Sequence, residues 1–534
     1  MPDRFDYIVI GGGSSGCVAA TRLVRDGGAR VLLIERGQES QPALMQMPAG
    51  YMKYLGREDY LEMHQTVSQP QLDGRAPIVP QANLLGGGSS VNAMVYMRGQ
   101  REDYDGWDAL MGGGSGWFYA DVLPHFKIME HNTKLNDEFH GINGPLWISD
   151  PGRIDPLTEA FMLAAQGLGI RYNPDFNGQR QAGVGPMPHT IGRNRRCNAV
   201  GAFLSQVRRD KRLTLVTRAR ATRVLVERGR AVGVEYRVGG EARQAYADGE
   251  VLVAAGAYNT AKLLMLSGLG PADHLRELGV PIACDLPGVG QNLQDHHEVP
   301  VISTLRNPGG YYGQDRGWRM LRNGLEYLLF KSGPVATTGV EACAFVDPDG
   351  SVRPTIQLYC VPTVYLDRDI KDVKATHGVT LTPCLLRPKA RGSVRLRSAD
   401  PGDKPLVDSN FFGHPDDLRL TIAAMRLARR VLDEEPLHSL VGEELLPGSG
   451  CVDDADLEPY AKRMVKTNYH PVGTARMGPD GDPAAVLDSR LRLRGVGALR
   501  VIDCSAIPRI VSGNTNAAAL MLGDRAATFI LNSR

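Results

Sequence analysis

The chain has 534 residues, 43% hydrophobic and 22% charged, and its 61 basic residues face 59 acidic ones for a formal charge of +2. That length allows two or three domains around a large core. The near-balance of charge gives no electrostatic case for nucleic acid or an anionic membrane as the main partner. No basic, apolar and small-residue succession marks a secretory signal in MPDRFDYIVIGGG, and no apolar run reaches the ~18 residues of a transmembrane helix. Eight scattered cysteines without a C-x-x-C pair read as a reduced, intracellular complement with neither disulfide frame nor zinc site. The expected location is cytoplasmic, with peripheral membrane attachment left open.

The first element is legible from residue 5. An apolar strand, Tyr7–Ile10, runs into Gly11-x-Gly13-x-x-Gly16, with Ser14 and Ser15 inside the loop. A helix with Val18, Ala19, Leu23 and Val24 on one face follows, then a strand over Val31–Ile34 and Glu35, nineteen residues after the last glycine. This is the dinucleotide fingerprint in its βαβ context. The glycines permit the turn, the approach of a pyrophosphate and close helix–strand packing, while Glu35 would accept hydrogen bonds from a ribose. Later strand ends at Val251–Ala254 and Leu499–Ile502, the second delivering Asp503 and Cys504, favour FAD over NAD. The other glycine cluster, GGGSG at 112–116, has no strand before it and reads as a loop.

Residues 80–99, PQANLLGGGSSVNAMVYMRG, put three glycines and two serines between apolar flanks. Such a segment cannot stabilise a helix interior but can crowd N–H groups around a polar ligand. The predicted cofactor contacts here are Gly86, Gly87, Ser89, Asn92, Ala93, Met94 and Val95. Further on, 212–238 alternates apolar and polar with a turn at Gly229 and predicts a strand meander. Short β runs at TIQLYCV, GVTLTPCLL and GSVRLRS predict a mostly antiparallel sheet over the flavin, and 416–435 has helical periodicity through Leu418, Ile422, Met425 and Leu432.

Near the C-terminus, YHPVGTARMG (469–478) carries His470, and GNTNAAALM (513–521) carries Asn514 and Asn516 at the start of an apolar helix. Oxidising an alcohol on a flavin needs loss of the hydroxyl proton and hydride transfer from carbon to N5. A histidine suits the first task, and a neutral asparagine can steady the alkoxide without competing for its proton. Either asparagine fits that description, and either could instead cap the helix. His296 and His297 read as structural or surface residues.

These motifs, with GAYNTAKLLMLSGLG (256–270) and GVGQNLQDHH (288–297), occur in an order that resembles the glucose–methanol–choline (GMC) family of FAD-dependent alcohol oxidoreductases. The resemblance spans essentially the whole chain. YNPDFNG, RNRRCNAVGAFL and LRPKARGSVRLRSADP are most similar to sorbose- and alcohol-dehydrogenase-type members. It implies His470 and Asn516 as the catalytic pair, and backbone contact of Val224 with the adenine. Tyr469 and Ala517 join the predicted cofactor contacts. It also implies non-covalent FAD, because Val91 stands where members with a covalent link have histidine. Gln81 and Ala82 depart from the arginine and glycine of many members, and Ala261 from proline or serine.

The expected architecture is α/β. A Rossmann-like FAD-binding domain with a parallel sheet spans 1–155, 195–300 and 470–534; 156–194 and 301–469 form a substrate domain with a mostly antiparallel sheet flanked by helices. The expected function is oxidation of a primary or secondary alcohol, such as a sugar or polyol, to the carbonyl, with a quinone, a cytochrome or O₂ as electron acceptor and no metal. Rival readings are an aryl- or furanic-alcohol oxidase, a choline-type dehydrogenase, an NAD-dependent dehydrogenase, and a non-redox or lyase-type relative.

Overall fold

The computed structural model describes residues 3–366 and 373–533. Its first sheet grows from the opening βαβ unit. The strand Asp3–Ile10 pairs in parallel with Val31–Ile34 on one side and with Glu241–Val253 on the other. Leu213–Val216 extends the sheet beyond Val31–Ile34, and Leu499–Val501 pairs with the end of Glu241–Val253, both in parallel. The strand cores YIVI, VLLI and VLV are unbroken apolar runs because both faces of a parallel sheet are covered. Register places Ile10 beside Ile34 and Val253, Ile34 beside Val216, and Val253 beside Val501. Five strands thus end on one edge, where open parallel sheets hold ligands.

The helix Ser14–Arg25 covers one face with Cys17, Val18, Leu23 and Val24 fully buried. The helix Asn516–Leu531 lies against it, so closely that a Cβ on Gly523 would stand 2.4 Å from the Ser15 carbonyl oxygen. The meander expected over 212–238 divides. Leu213–Val216 joins the parallel ladder, while Ala219–Glu227 and Arg230–Val238 make an antiparallel hairpin on the first half of Glu241–Val253.

The second sheet is antiparallel throughout. In spatial order it runs Val441–Leu446, Val301–Leu305, Gly378–Leu385, Ile356–Val361, Ala342–Val346 and Gly183–Pro186. The helix Pro415–Leu432 packs Ile422, Met425 and Leu432 against Val301, Leu358 and Leu381 of this sheet. One expected strand lies elsewhere. Ser393–Arg395, from GSVRLRS, pairs only with Leu406–Asp408, and Val394, Leu396 and Val407 pack into the core of the nucleotide-binding region. Residues around 393–408 therefore side with the first sheet in packing, although the sequence division assigns them to 301–469.

A short antiparallel ladder matters most for function. His297 pairs with Thr467 and Glu298 with Lys466, so the end of GVGQNLQDHH is stitched to the start of KTNYHP. The Asn468 N–H donates to the His296 carbonyl at 2.8 Å.

Candidate active site

A cavity of about 1270 Å³ is lined from both sheets. At one end are Gly11, Gly13, Ser14, Ser15 and Glu35, together with Gly87, Gly88 and Val91 of the second glycine segment. The Gly86 N–H donates to the Gly12 carbonyl at 2.7 Å and ties the two loops together. The Glu35 carboxylate accepts from the N–H groups of Gly12 (2.8 Å) and Gly37 (2.6 Å), which fixes it on the cavity wall; burial pushes its pKa up. Asp503 accepts from the Gly256 N–H (2.8 Å) and the Thr260 hydroxyl (2.6 Å), closing the strand ends at 253 and 501 around the middle of the cavity. Two helix N-termini, those of Ser14–Arg25 and Asn516–Leu531, converge there. They offer their partial positive ends to an anion.

His470 stands at the other end, half-open to the cavity. Its backbone N–H donates to Asp295 Oδ1 at 2.9 Å, and Asp295 Oδ2 accepts from the Thr467 hydroxyl at 2.6 Å. Thr467 Oγ1 in turn accepts the Tyr469 N–H at 2.7 Å, holding Tyr469 at φ +64°. A left-handed tyrosine is an uncommon, strained conformation, and these three contacts secure it just before the imidazole.

The tautomer of His470 follows from its neighbours. His296 Nε2 lies 3.0 Å from the Leu386 carbonyl oxygen, which can only accept, so Nε2 carries the hydrogen. Neutral His296 then has a bare Nδ1, and this atom faces His470 Nδ1 at 3.0 Å. His470 must donate from Nδ1, which leaves its Nε2 with a free lone pair. Burial, with His296 beside it, holds the His470 pKa well below its ordinary value of 6.5, and burial takes His296 down to about 4. Both rings are neutral at pH 7, as the chain of hydrogen bonds requires. The group facing His470 Nε2 is the Asn514 amide, whose Nδ2 lies 3.3 Å away. Asn514 Nδ2 also donates to the Tyr359 hydroxyl at 3.1 Å, and that hydroxyl donates to Gln357 Oε1 at 2.8 Å.

Asn516, the expected partner, points elsewhere. Its Oδ1 accepts from the Ser14 hydroxyl at 2.8 Å, at the nucleotide loop. The two asparagines sit two positions apart where a helix begins, and successive helical side chains turn by ~100° each, so the pair faces opposite ways. The hydrogen-bonding side chain at His470 is therefore Asn514, and Asn516 joins the cofactor end.

Family models described as GMC oxidoreductase match residues 5–298 and 388–523. The chain belongs to the GMC oxidoreductase family. Relatives include proteins named oxygen-dependent choline dehydrogenase, from Brucella anthropi at 39% identity over 98% of this chain and 95% of the relative, and from Rhizobium etli at 38% over 99% and 96%. Among solved structures, pyridoxine 4-oxidase from Mesorbium loti superposes with a TM-score of 0.89 at 31% identity, covering 98% of both chains. An FAD-dependent oxidoreductase from Chaetomium thermophilum gives 0.90 at 25%, covering 99% of both. These relatives carry the choline dehydrogenase name, where the narrower likeness in sequence pointed to sorbose- and alcohol-dehydrogenase-type members.

The lining fits the FAD of a GMC oxidoreductase. A Cβ on Gly11, at φ +107°, would lie 2.2 Å from the Ala254 carbonyl oxygen, so the loop is drawn tight against the sheet edge and leaves its outer side open. Of the expected contacts, Gly11, Gly13, Ser14, Ser15, Glu35, Gly87, Asn92, Ala93, Val95, Tyr469, Asp503 and Cys504 line the cavity. Six others stand behind its wall. Gly16 is pressed against the Gly11 carbonyl, Gly86 and Ser89 brace the second glycine segment, and Met94 is buried against Tyr51 and Ile191. Ala517 is buried in the core. The Val224 N–H donates to the Ser267 hydroxyl at 2.8 Å, and the residues of its strand that line the cavity are Ala219, Arg220 and Ala221. Val91, with no nucleophile, lines the cavity, as do Gln81 and Ala82. The sequence reading weighed both asparagines and took Asn516 by resemblance, whereas the structure sets Asn514 against His470 Nε2; it missed His296 as a neighbour of His470. The asparagine pair had no local signal to separate it. The adjacency of His296 was written only in the 297–467 ladder.

The wall beyond His470 carries Tyr311, Tyr312, Tyr359, Tyr365 and Glu298. Glu298 is paired with Lys466 at 2.9 Å, both side chains 6% exposed, and the Lys466 ammonium lies 4.3 Å from the centre of the Tyr365 ring. Among the described residues, no helix is long and apolar enough to cross a membrane.

Proposed function

We propose that this GMC oxidoreductase oxidises a neutral primary or secondary alcohol, of the sugar, polyol or related kind, to the aldehyde or ketone, using His470 Nε2 as proton acceptor and Asn514 as its partner. The observation that carries the reading is the hydrogen-bond chain from the Leu386 carbonyl through His296 to His470, which leaves Nε2 proton-free and facing an amide. FAD, when bound, supplies the hydride acceptor. The substrate hydroxyl donates to His470 Nε2 and its oxygen accepts from Asn514 Nδ2, which Tyr359 and Gln357 hold in place. As the C–H bond breaks, the proton rests on the imidazole and the amide N–H faces the oxygen while it carries charge. The electrons pass on to a quinone, a cytochrome or O₂, with a dehydrogenase favoured over an oxidase; dye reduction compared with peroxide release measures which.

The relatives supply a second reading, oxidation of choline. Their names support it, and the carboxylate and tyrosines of the wall resemble what a quaternary ammonium needs. Lys466 argues against it, because it neutralises Glu298 and places a cation at the same tyrosine. We expect kcat/KM for choline to fall at least about tenfold below that of the best neutral alcohol. Lys466→Met should narrow that gap, since like charges repel across a poorly solvated site. Anaerobic flavin bleaching across a panel of both classes decides between them.

The low pKa of His470 sets a pH profile. Protonation removes the base, so a depressed pKa moves the loss of activity to more acid solution: kcat/KM should stay level as pH falls through 6.5 and decline only below it. In His296→Leu the Nδ1 proton of His470 loses its acceptor, which supports the protonated ring and fixes the tautomer. The acid limb should then move to lower pH, and kcat should fall by roughly ten- to a hundredfold, the range known for groups that orient a metal-ligating histidine. Equal profiles in the two proteins would separate His296 from the chemistry.

A further inference from the structure

The helix Gly317–Phe330 is amphipathic in the reverse sense. Its inward side is polar: Asn323 and Tyr327 are buried, Asn323 Nδ2 donating to the Gln314 carbonyl at 3.0 Å and the Tyr327 hydroxyl to the Asn194 carbonyl at 2.7 Å. Its outward side is apolar. Trp318 is 73% exposed, Leu321 57%, Leu325 54%, Leu328 59% and Leu329 70%. At ~100° per residue these five fall within an arc of about 100°, the width of a stripe that normally faces a core. Phe330 at the helix end is also 73% exposed. A contiguous apolar face of this kind marks a surface that something covers.

The charges beside the stripe indicate what covers it. Arg316, Arg319, Arg322 and Lys331 are all exposed. Of the two acids in this stretch, Asp315 is shared between Lys53 and Arg316, and Glu326 is half-buried beside Ser332. The balanced charge of the whole chain thus hides a local basic border around an apolar stripe with tryptophan at its start, the composition of a helix that lies in a membrane interface. A second copy fits poorly, because two-fold pairing of this face would bring arginine borders together with no exposed carboxylate on the stripe to receive them.

We propose that the outward face of Gly317–Phe330 docks this protein on anionic lipid bilayers, with the apolar side chains among the upper acyl chains and the arginines at the headgroups. Met320 and Asn323 of the same helix line the large cavity, so docking holds that wall of the cavity against the lipid surface. The inference is independent of the catalytic reading, since it is tested by partition and not by turnover.

The test uses the full-length, FAD-loaded protein with phosphatidylglycerol–phosphatidylcholine vesicles and with pure phosphatidylcholine vesicles. Flotation should show binding to the first, weakened by salt and much lower on the second. Brominated lipids should quench Trp318, the most exposed indole. Leu325→Glu/Leu328→Glu should abolish flotation while keeping flavin content and turnover of a water-soluble alcohol with a soluble dye. Arg319→Gln/Arg322→Gln keeps the apolar face and should lower partition by roughly fivefold per charge removed, so it carries the test if the leucine variant fails to fold. Absence of wild-type binding to the anionic vesicles, or binding that neither pair of substitutions reduces, overturns the proposal. So does a wild-type dimer that the leucine variant converts to monomer, which would assign the face to a second copy.

Discussion

Replacing His470 by alanine should reduce turnover by at least about a hundredfold, the low end of what a positioned general base contributes, while the protein still binds FAD. The two halves of that result have separate origins. The imidazole offers its lone pair to one end of the cavity, whereas the residues expected to hold the cofactor, Gly11, Gly13, Ser14, Ser15, Glu35 and Asp503, line the opposite end and the middle. The Asp295 and Thr467 side chains hold the turn that presents His470 through its backbone N–H groups and not through the imidazole. Alanine should therefore leave the turn intact. Steady-state kinetics with the flavin-to-protein ratio measured on the same preparation checks both halves. Asn514→Ala should lose less, since the lone pair stays in place, and Asn516→Ala should disturb flavin content before turnover per flavin. If Asn516→Ala alone reproduced the kinetic loss, the exchange of roles between the asparagines would be refuted.

The second large effect is expected at Gly11. Its φ of +107° lies where side chains are strained, and a Cβ there would stand 2.2 Å from the Ala254 oxygen and 2.6 Å from the Ala254 carbon. Neither atom belongs to a movable side chain. Gly11→Ala must displace either the nucleotide loop or the end of the strand Glu241–Val253. Strain of this kind costs about 1–3 kcal/mol, and steric displacement adds to it. Flavin affinity should fall by roughly tenfold or more, leaving a colourless or pale protein. Absorbance near ~450 nm, a general flavin property, against protein concentration is the measurement. Full flavin content would show that the loop tolerates the displacement.

Much of this architecture was readable from local pattern. The strand–glycine–helix–strand–acid succession at 5–37 needs only neighbours in sequence, and the apolar runs of a doubly covered sheet are hard to mistake. What failed to read depends on distant partners. Ser393–Arg395 has the alternation of a roof strand, but its pairing with Leu406–Asp408 and the packing of Val394 decide that it belongs elsewhere. The Val224 N–H is engaged by the Ser267 hydroxyl, a partner 43 residues away that its own strand does not announce. Asn514 and Asn516 are chemically identical, and the onset of helix between them turns one toward the imidazole and the other toward Ser14. His296 resembled a structural histidine because its partner is 174 residues away.

That separation has a consequence for biosynthesis. Ser14 meets Asn516 across 502 residues, and the strand Leu499–Val501 completes a sheet begun at residue 3. A chain still being translated can form the opening βαβ unit early, yet the carboxylate from position 503 and the helix Asn516–Leu531 arrive only hundreds of residues later. Contacts so distant in sequence form late and slowly. The prosthetic group should therefore be captured only once those segments have emerged, and until then the bare side of Glu241–Val253 is the surface a chaperone would need to shield.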